Sequence, residues 1–258
     1  MPSILFSIEN DIAVLTLNRP DKLNSFNREM ALLLQHHLDE CSASPAVRAV
    51  YITGAGKGFS AGQDLSEVAD PEGPGMISIL HEHYNPIVTK IRNLPKPVVA
   101  AVNGVAAGAG ANIALCCDVI LAASSSQFIQ AFSRIGLIPD SGGTYLLPRL
   151  IGWQKASALM MLGDRLSAAE AERLGLLYKV FPDESFGEES MKIARTLARM
   201  PTKGLAYTKR ALNASFTNSF EQQLQEEDRL QYAASHTLDF KEGVAAFLEK
   251  RPPIFRGE

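Results

Sequence analysis

The sequence predicts an α/β fold. A buried strand is predicted at 47–53 and a short, wholly apolar one at 98–102, and segments of helical periodicity alternate with them. This alternation is typical of parallel strands covered by helices on both faces. Glycine-rich turns follow these strands at 54–65 and 103–111. From Gly142 onward the apolar residues recur at helical spacing, so we expect an all-helical C-terminal region.

Composition excludes several classes of protein. The 258 residues fit one large α/β domain, or one domain with a small appendage. The net charge is −3, and residues of both signs are mixed along the sequence without a basic patch. We therefore expect no nucleic-acid partner. No apolar run reaches the roughly 18–20 residues that span a bilayer, and the N-terminus lacks the pattern of a signal peptide. The three cysteines do not form a disulfide framework, so we expect a soluble cytoplasmic protein.

The N-terminal segments read as a hairpin and a helix. Residues 4–9 and 12–18 alternate apolar with polar residues around a short turn, which predicts two antiparallel strands. A helix is predicted from about 27 to 44, capped by Asn24 or Ser25, before the strand at 47–53.

The middle of the chain is predicted to alternate strands and helices in βαβ order, and the remainder is predicted to be helical. Residues 66–75 are expected to form a mobile loop. Strands are predicted at 98–102, 118–122 and 127–129, and helices at 76–94, 109–117, 144–151, 154–162, 167–174, 184–200, 201–214, 220–235 and 239–250.

The loop at 54–65 does not carry a nucleotide-binding fingerprint. The dinucleotide motif needs a glycine where Phe59 stands, and in the P-loop a serine or threonine follows the lysine, whereas Gly58 follows Lys57 here. Turns between a strand and a helix instead leave backbone N–H groups unpaired. Two such amides, from 61–65 and 108–111, could converge on one oxygen as an oxyanion hole.

Asp140 is a carboxylate among glycines, within Gly-Leu-Ile-Pro-Asp-Ser-Gly-Gly-Thr at 136–144. An aspartate at such a turn commonly caps the following helix, which is expected to begin near Ser141. The alternative is that the Asp140 carboxylate takes part in a reaction.

The pair His81 and His83 could suggest a metal, but on a helix the two side chains face different ways and no cysteine or carboxylate cluster accompanies them, so we expect no metal site.

Several motifs together resemble the crotonase (enoyl-CoA hydratase/isomerase) superfamily over nearly the whole chain. They are Leu-Asn-Arg-Pro with Lys-Leu-Asn-Ser at 17–25, Gly-Phe-Ser-Ala-Gly-Gln-Asp-Leu at 58–65, Lys-Pro-Val through Asn-Gly-Val-Ala-Ala-Gly-Ala-Gly at 96–110, the segment at 136–144, and Glu-Gly-Val-Ala-Ala-Phe-Leu-Glu-Lys-Arg-Pro-Pro-Ile-Phe at 242–255. Within the superfamily, the segments most resemble the isomerases of phenylacetate catabolism.

The resemblance implies a fold, a ligand and an assembly. The fold would be a crotonase-like spiral of ββα units with a C-terminal helical trimerisation region. Residues 1–200 would form the core with the coenzyme A and active sites, and 201–258 the oligomerisation region. The ligand would be an acyl-CoA thioester, so coenzyme A enters as part of the substrate and no separate cofactor is expected. The protein would be a homotrimer or a dimer of trimers.

The resemblance also implies roles for particular residues. The backbone N–H groups of Gln63 and Ala109 would form the oxyanion hole, and Asp140 would be the catalytic residue. The coenzyme A groove would be lined by Lys22, Leu23, Ala61, Asp64 and Leu65. The acyl pocket would be lined by Asn112, Phe132, His83 and Tyr84.

One departure from the hydratase pattern narrows the chemistry. Hydratases of the superfamily carry two glutamates where this chain has Asn112 and Phe132, and a glycine where it has Asp140. A lone carboxylate beside a thioester suits isomerisation, and burial would raise its pKa toward working pH. The resemblance thus implies conversion of ring-1,2-epoxyphenylacetyl-CoA to oxepin-CoA, a shift of 3-enoyl-CoA to 2-enoyl-CoA, or both. The alternatives are an acyl-CoA hydrolase, a dehalogenase with Asp140 as nucleophile, a hydratase, or a non-catalytic acyl-CoA-binding protein.

Overall fold

Two β-sheets form the framework, and the computed structural model describes residues 1–258. The strands are β1 (Ile4–Glu9), β2 (Ile12–Leu17), β3 (Ala49–Gly54), β4 (Gly58–Ser60), β5 (Val98–Val102), β6 (Val105–Ala107), β7 (Val119–Ala123), β8 (Gln127–Ile129), β9 (Arg165–Ser167) and β10 (Lys179–Phe181). The helices are α1 (Arg28–Ala43), α2 (Leu65–Ala69), α3 (Met76–Ser78), α4 (Asn85–Asn93), α5 (Ala109–Leu115), α6 (Gly143–Ile151), α7 (Trp153–Leu162), α8 (Ala168–Arg173), α9 (Phe186–Ala198), α10 (Thr202–Ser215), α11 (Phe220–Ser235) and α12 (Leu238–Glu249).

The strand order describes a spiral. The larger sheet has the order β1-β2-β3-β5-β7-β10, and the smaller has the order β4-β6-β8-β9. Each turn of the chain adds one strand to each sheet, as β3 with β4, β5 with β6, and β7 with β8. All neighbours are parallel except β1–β2 and β8–β9. The α/β spiral expected from the sequence is confirmed.

The N-terminal hairpin is also as predicted. Glu9 pairs with Ile12 across a two-residue turn in which Asn10 and Asp11 have φ values of 51° and 65°. Both residues tolerate this left-handed conformation because their short polar side chains can bond locally.

Four strands lie where the sequence predicted turns or helices. β4 and β6 fall within the two glycine-rich turns, and β9 and β10 within the region predicted to be all-helical. Each is three residues long, which is too short to show an alternating pattern, and each depends on a sheet partner distant in sequence. The loop predicted at 66–75 also differs, because the short helix α2 covers its first residues.

The helix predicted at 76–94 is interrupted. A π-helical segment, Ile79–Tyr84, separates α3 from α4, and the N–H of Asn85 donates to the carbonyl of Leu80 five residues earlier. Pro86 follows at once and has no N–H, so it cannot continue a regular ladder back into the segment. The wider turn lies beside the candidate site.

The predicted caps are partly correct. Neither Asn24 nor Ser25 caps α1, because Asn27 does so by accepting from the N–H of Met30 at 3.1 Å. The sequence Ser-Ala-Ala-Glu at 167–170 predicts a capping box, and Ser167 does cap α8, because its hydroxyl accepts from the Glu170 N–H at 3.2 Å.

The C-terminal helices attach to the core through a buried lysine. Lys209 of α10 donates through Nζ to Asp118 Oδ2 at 2.8 Å and to the Ile91 carbonyl at 2.7 Å. The helices beyond α10 bear large exposed apolar side chains, namely Phe220, Leu224, Tyr232, Leu238, Phe240, Val244, Phe247 and Leu248. None of the helices combines the length and the apolar character that crossing a bilayer requires.

Candidate active site

The loops that follow β4 and β6 meet at one edge of the smaller sheet. β4 and β6 are parallel neighbours, so the loops that follow them leave the sheet side by side. A Cβ on Gly62 would lie only 2.9 Å from the Ala107 carbonyl oxygen and 3.3 Å from the Ala109 nitrogen, and Gly62 has φ +87°. The backbones therefore approach more closely than any residue with a side chain permits.

The meeting point exposes two backbone amides. In the bridge between Phe26 and Gln63, the N–H of Phe26 donates to the Gly62 carbonyl and the N–H of Asp64 to the Phe26 carbonyl, while the Gln63 N–H has no partner. Ala109 is the first residue of α5, a position whose N–H has no acceptor within its own helix. The oxyanion amides expected from the sequence thus lie on adjoining segments, and their role stays a prediction.

Asp140 does not cap a helix. α6 begins at Gly143 with Gly142 as its N-cap, and no side chain bonds to that cap. The half-buried Asp140 carboxylate instead accepts a hydrogen bond from the Ser141 hydroxyl at 2.8 Å. Burial raises the pKa of Asp140 above its ordinary value of 3.8, and the Ser141 bond opposes part of that rise. The capping interpretation is wrong, whereas the expected direction of the pKa shift is confirmed.

Asn112 joins the Asp140 loop to α5. Its Nδ2 donates to the Asp140 carbonyl at 2.8 Å, and its Oδ1 accepts from Gln130 Nε2 at 2.8 Å. The Asn112 side chain is completely buried, so both ends of its amide are occupied within the protein. Phe132 packs beside Gly108, just before α5: a Cβ on Gly108 would lie 3.8 Å from the Phe132 ring.

Tyr84 and His83 project from the π-helical segment and are both 1% exposed. The Tyr84 hydroxyl donates to Gln63 Oε1 at 2.8 Å. Burial, and secondarily the charge of Asp140, raises the pKa of Tyr84 well above its usual value, so its hydroxyl stays protonated. His83 Nε2 lies 3.2 Å from Arg28 Nη1, and burial lowers the pKa of His83.

The residues predicted to bind coenzyme A form two groups. The Ala61 N–H donates to the Leu23 carbonyl at 2.9 Å, so the backbones of these two residues are in contact. The side chains of Lys22, Leu23 and Leu65 are exposed. Asp64 is buried and committed to the fold.

The Asp64 carboxylate accepts from the Ser66 N–H at 3.1 Å and from Arg19 Nη2 at 2.8 Å. Burial alone would raise the pKa of Asp64, but the bonds from Ser66 and Arg19 hold it below the ordinary value. The carboxylate is therefore charged and already paired. A role for any of these residues in coenzyme A binding stays a prediction.

Three polar residues whose roles the sequence does not predict shape the loop at 54–65 and hold the Gln63 side chain. Asn24 donates to the carbonyls of Ala55 and Gly58, at 2.9 and 2.7 Å. Ser60 donates to the Asn24 carbonyl at 2.8 Å, and Glu67 accepts from Gln63 Nε2 at 2.8 Å. Asn24 and Ser60 lie within the family motifs, but periodicity does not register a polar side chain that bonds to distant backbone.

Comparison with known proteins agrees with the fold and the motifs. The model of the enoyl-CoA hydratase/isomerase family matches residues 7–258. A 1,2-epoxyphenylacetyl-CoA isomerase from Escherichia coli strain K12 is 46% identical over 100% of both chains. A probable enoyl-CoA hydratase from Rhodobacter capsulatus is 44% identical over 99% of this chain and 98% of its own.

A solved structure gives the same family. The crystal structure of a putative enoyl-CoA hydratase/isomerase from Mycobacterium abscessus has a TM-score of 0.93 and 33% identity, and the match covers 99% of this chain and 100% of that chain. The chain therefore belongs to the enoyl-CoA hydratase/isomerase family, the crotonase superfamily that its motifs resemble.

Proposed function

We propose that the protein is an acyl-CoA isomerase in which Asp140 is the general acid and base and the Gln63 and Ala109 amides form the oxyanion hole. Its substrate is ring-1,2-epoxyphenylacetyl-CoA, converted to oxepin-CoA, or a 3-enoyl-CoA, converted to the 2-enoyl isomer. The observation that carries the proposal is the half-buried Asp140 carboxylate with a raised pKa, on a loop bonded to the helix that begins at Ala109.

The proton inventory of the enoyl reaction is simple. Asp140 removes a proton from carbon 2 of a 3-enoyl thioester, and the electron pair moves onto the thioester oxygen to form a dienolate. The two amides donate to that oxygen as its charge develops, and one such donor is typically worth about 3–4 kcal/mol. The same carboxyl group returns the proton to carbon 4, which yields the 2-enoyl product without a net change of atoms.

The residues at the hydratase positions support isomerisation over hydration. Neither Asn112 nor Phe132 can act as a base, and each end of the Asn112 amide is in addition hydrogen-bonded within the protein. The 46% identical relative is called an isomerase. The substrate brings its own coenzyme A, and no other cofactor enters the mechanism.

We also propose that helices in 201–258 assemble a homotrimer or a dimer of trimers in the cytoplasm. Their exposed apolar side chains support this, as do grooves of about 850 and 550 Å³ that lie along α10, α11 and α12.

Asp140→Asn tests the catalytic role. The amide keeps the shape of the carboxylate but cannot accept a proton, so kcat for a 3-enoyl-CoA should fall about 10²–10⁴-fold. Asp164→Asn makes the same chemical change at an exposed aspartate and should keep parental activity. Activity of the Asp140 variant within a few-fold of the parent would refute the proposal. A covalent acyl adduct on Asp140, seen by mass spectrometry during turnover, would identify a nucleophile instead.

The same variant should be more stable than the parent at neutral pH. Because burial raises the pKa of Asp140, the folded protein favours its protonated form. The stability that this proton gives is complete below the unfolded value of 3.8 and is lost as the pH rises through the folded pKa. Asparagine stays neutral, so Asp140→Asn should raise Tm at pH 7, and the gain should shrink toward pH 4. A gain that does not depend on pH, or a lower Tm at pH 7, would contradict this.

Light scattering tests the assembly. A trimer or hexamer should have three or six times the chain mass of 28.0 kDa. A species of one chain mass at micromolar concentration would exclude it.

A further inference from the structure

Helix α5 contacts both parts of the candidate site. Its first residue, Ala109, carries one of the two free amides, and Asn112 lies about one turn later. Asn112 donates to the Asp140 carbonyl at 2.8 Å. Every residue of α5 is buried, so a single packed element sets the separation between that amide and the backbone of Asp140.

The amide of Asn112 is itself fixed from two sides. Gln130 Nε2 donates to its Oδ1 at 2.8 Å. A Cβ on Gly143 would lie 2.4 Å from Asn112 Nδ2, so the amide packs directly on the backbone of Gly143 and leaves no room for a side chain. The Gly143 N–H also donates to the Asp140 carbonyl at 2.8 Å, which gives that oxygen two donors.

The loop beyond Asp140 is strained and receives a further bond from Cys116, the residue that follows α5. Ser141 has φ +52°, which is unusual for a residue with a side chain, and is nearly fully buried. Cys116, one turn beyond Asn112, lies with its Sγ 3.6 Å from the Ser141 carbonyl oxygen. A strained conformation persists where surrounding contacts over-determine it, and here the contacts come from Asn112 of α5, from Cys116 at its end and from Gly143 of α6.

The Gln130 side chain is buried with only one end of its amide hydrogen-bonded. It is 5% exposed, and its Oε1 is buried without a hydrogen-bond partner. An unsatisfied buried oxygen costs stability, which an apolar side chain of similar size would avoid. The one bond that its side chain makes is the bond to Asn112.

We propose that Asn112, oriented by Gln130, is a positioning residue that fixes the Asp140 carboxylate relative to the Ala109 amide. It acts through the backbone of Asp140 and touches no reacting atom. This inference rests on the proposed function, since it presumes that Asp140 transfers the proton.

Asn112→Leu tests the inference, because leucine keeps the size of the side chain and removes both hydrogen bonds. A displaced base misses its near-attack geometry, so kcat for a 3-enoyl-CoA should fall about 10–100-fold. KM should stay within about three-fold, since residues predicted to bind coenzyme A are untouched. The freed carboxylate should gain contact with water and lose part of its raised pKa, so the acid limb of the kcat–pH profile should move to lower pH.

Asn213→Leu is the matched control. Asn213 of α10 also donates through Nδ2 to a backbone carbonyl, that of Arg92 at 2.8 Å, and accepts from the Arg92 side chain. The two variants lose the same kinds of bond, so both should lower Tm. Only Asn112→Leu should change kcat and the acid limb.

The outcomes separate this inference from the proposed function. Parental kcat and an unmoved acid limb in Asn112→Leu, with Asp140→Asn inactive, would overturn the positioning role alone. An active Asp140→Asn protein would remove the proposed function. If Asn112→Leu does not fold, Gln130→Met leaves Asn112 in place and releases its Oδ1. A loss of about one hydrogen bond predicts a 3–10-fold lower kcat with the same shift of the acid limb, and an unchanged kcat would overturn the inference.

Discussion

The close approach of two backbone segments, at Gly62 and at Ala107 to Ala109, is the constraint on which the candidate site depends. Parallel pairing of β4 with β6 brings the segments together, and a glycine at 62 lets them touch. The approach leaves the amides of Gln63 and Ala109 on adjoining segments, each without a partner inside the protein. Donors that are already oriented lose little free energy to reorganisation when charge develops on a bound oxygen.

Polar side chains hold this arrangement together with the apolar core, which reaches it through Phe59, Ala106 and Ala109. Asn24 and Ser60 bond to the backbone of the first turn, and the Gln63 side chain links Glu67 to Tyr84. Apart from the bond between Gln63 and Glu67, which are four residues apart, these bonds join residues that are distant in sequence. The loop is therefore specified by hydrogen bonds as well as by shape. The same chain of contacts connects the candidate oxyanion loop to the π-helical segment that carries His83 and Tyr84.

Sequence patterns predicted the elements whose signal is local. The hairpin and the long amphipathic helices show their periodicity over a dozen residues or fewer, and their observed bounds differ from the predicted ones by at most two or three residues. The three-residue strands could not be predicted, because a strand such as β10 has no pattern of its own and exists only through its pairing with β7. The interruption at Ile79–Tyr84 was missed because apolar spacing barely differs between α and π turns.

The candidate site was predictable to a similar degree. Family motifs pointed to Gln63, Ala109 and Asp140. In the structure, the segments of Gln63 and Ala109 follow neighbouring strands, and the Asp140 loop is bonded to the helix that begins at Ala109. The sequence around Asp140 could not decide whether its side chain caps a helix or takes part in a reaction, because that depends on where α6 begins. The bonds of Asn112 were not predictable either, because they join three segments that only the fold brings together.

In the proposed function, two amides and one carboxylate act on a single bound thioester. The most direct measurement is a crystal structure of the Asp140→Asn protein with a 3-enoyl-CoA bound. We expect the thioester oxygen within about 3.2 Å of the Gln63 and Ala109 nitrogens, with side chain 140 facing carbons 2 and 4. A thioester oxygen bonded to neither amide, or a side chain 140 turned away from the acyl chain, would refute the proposed oxyanion hole or the proposed role of Asp140.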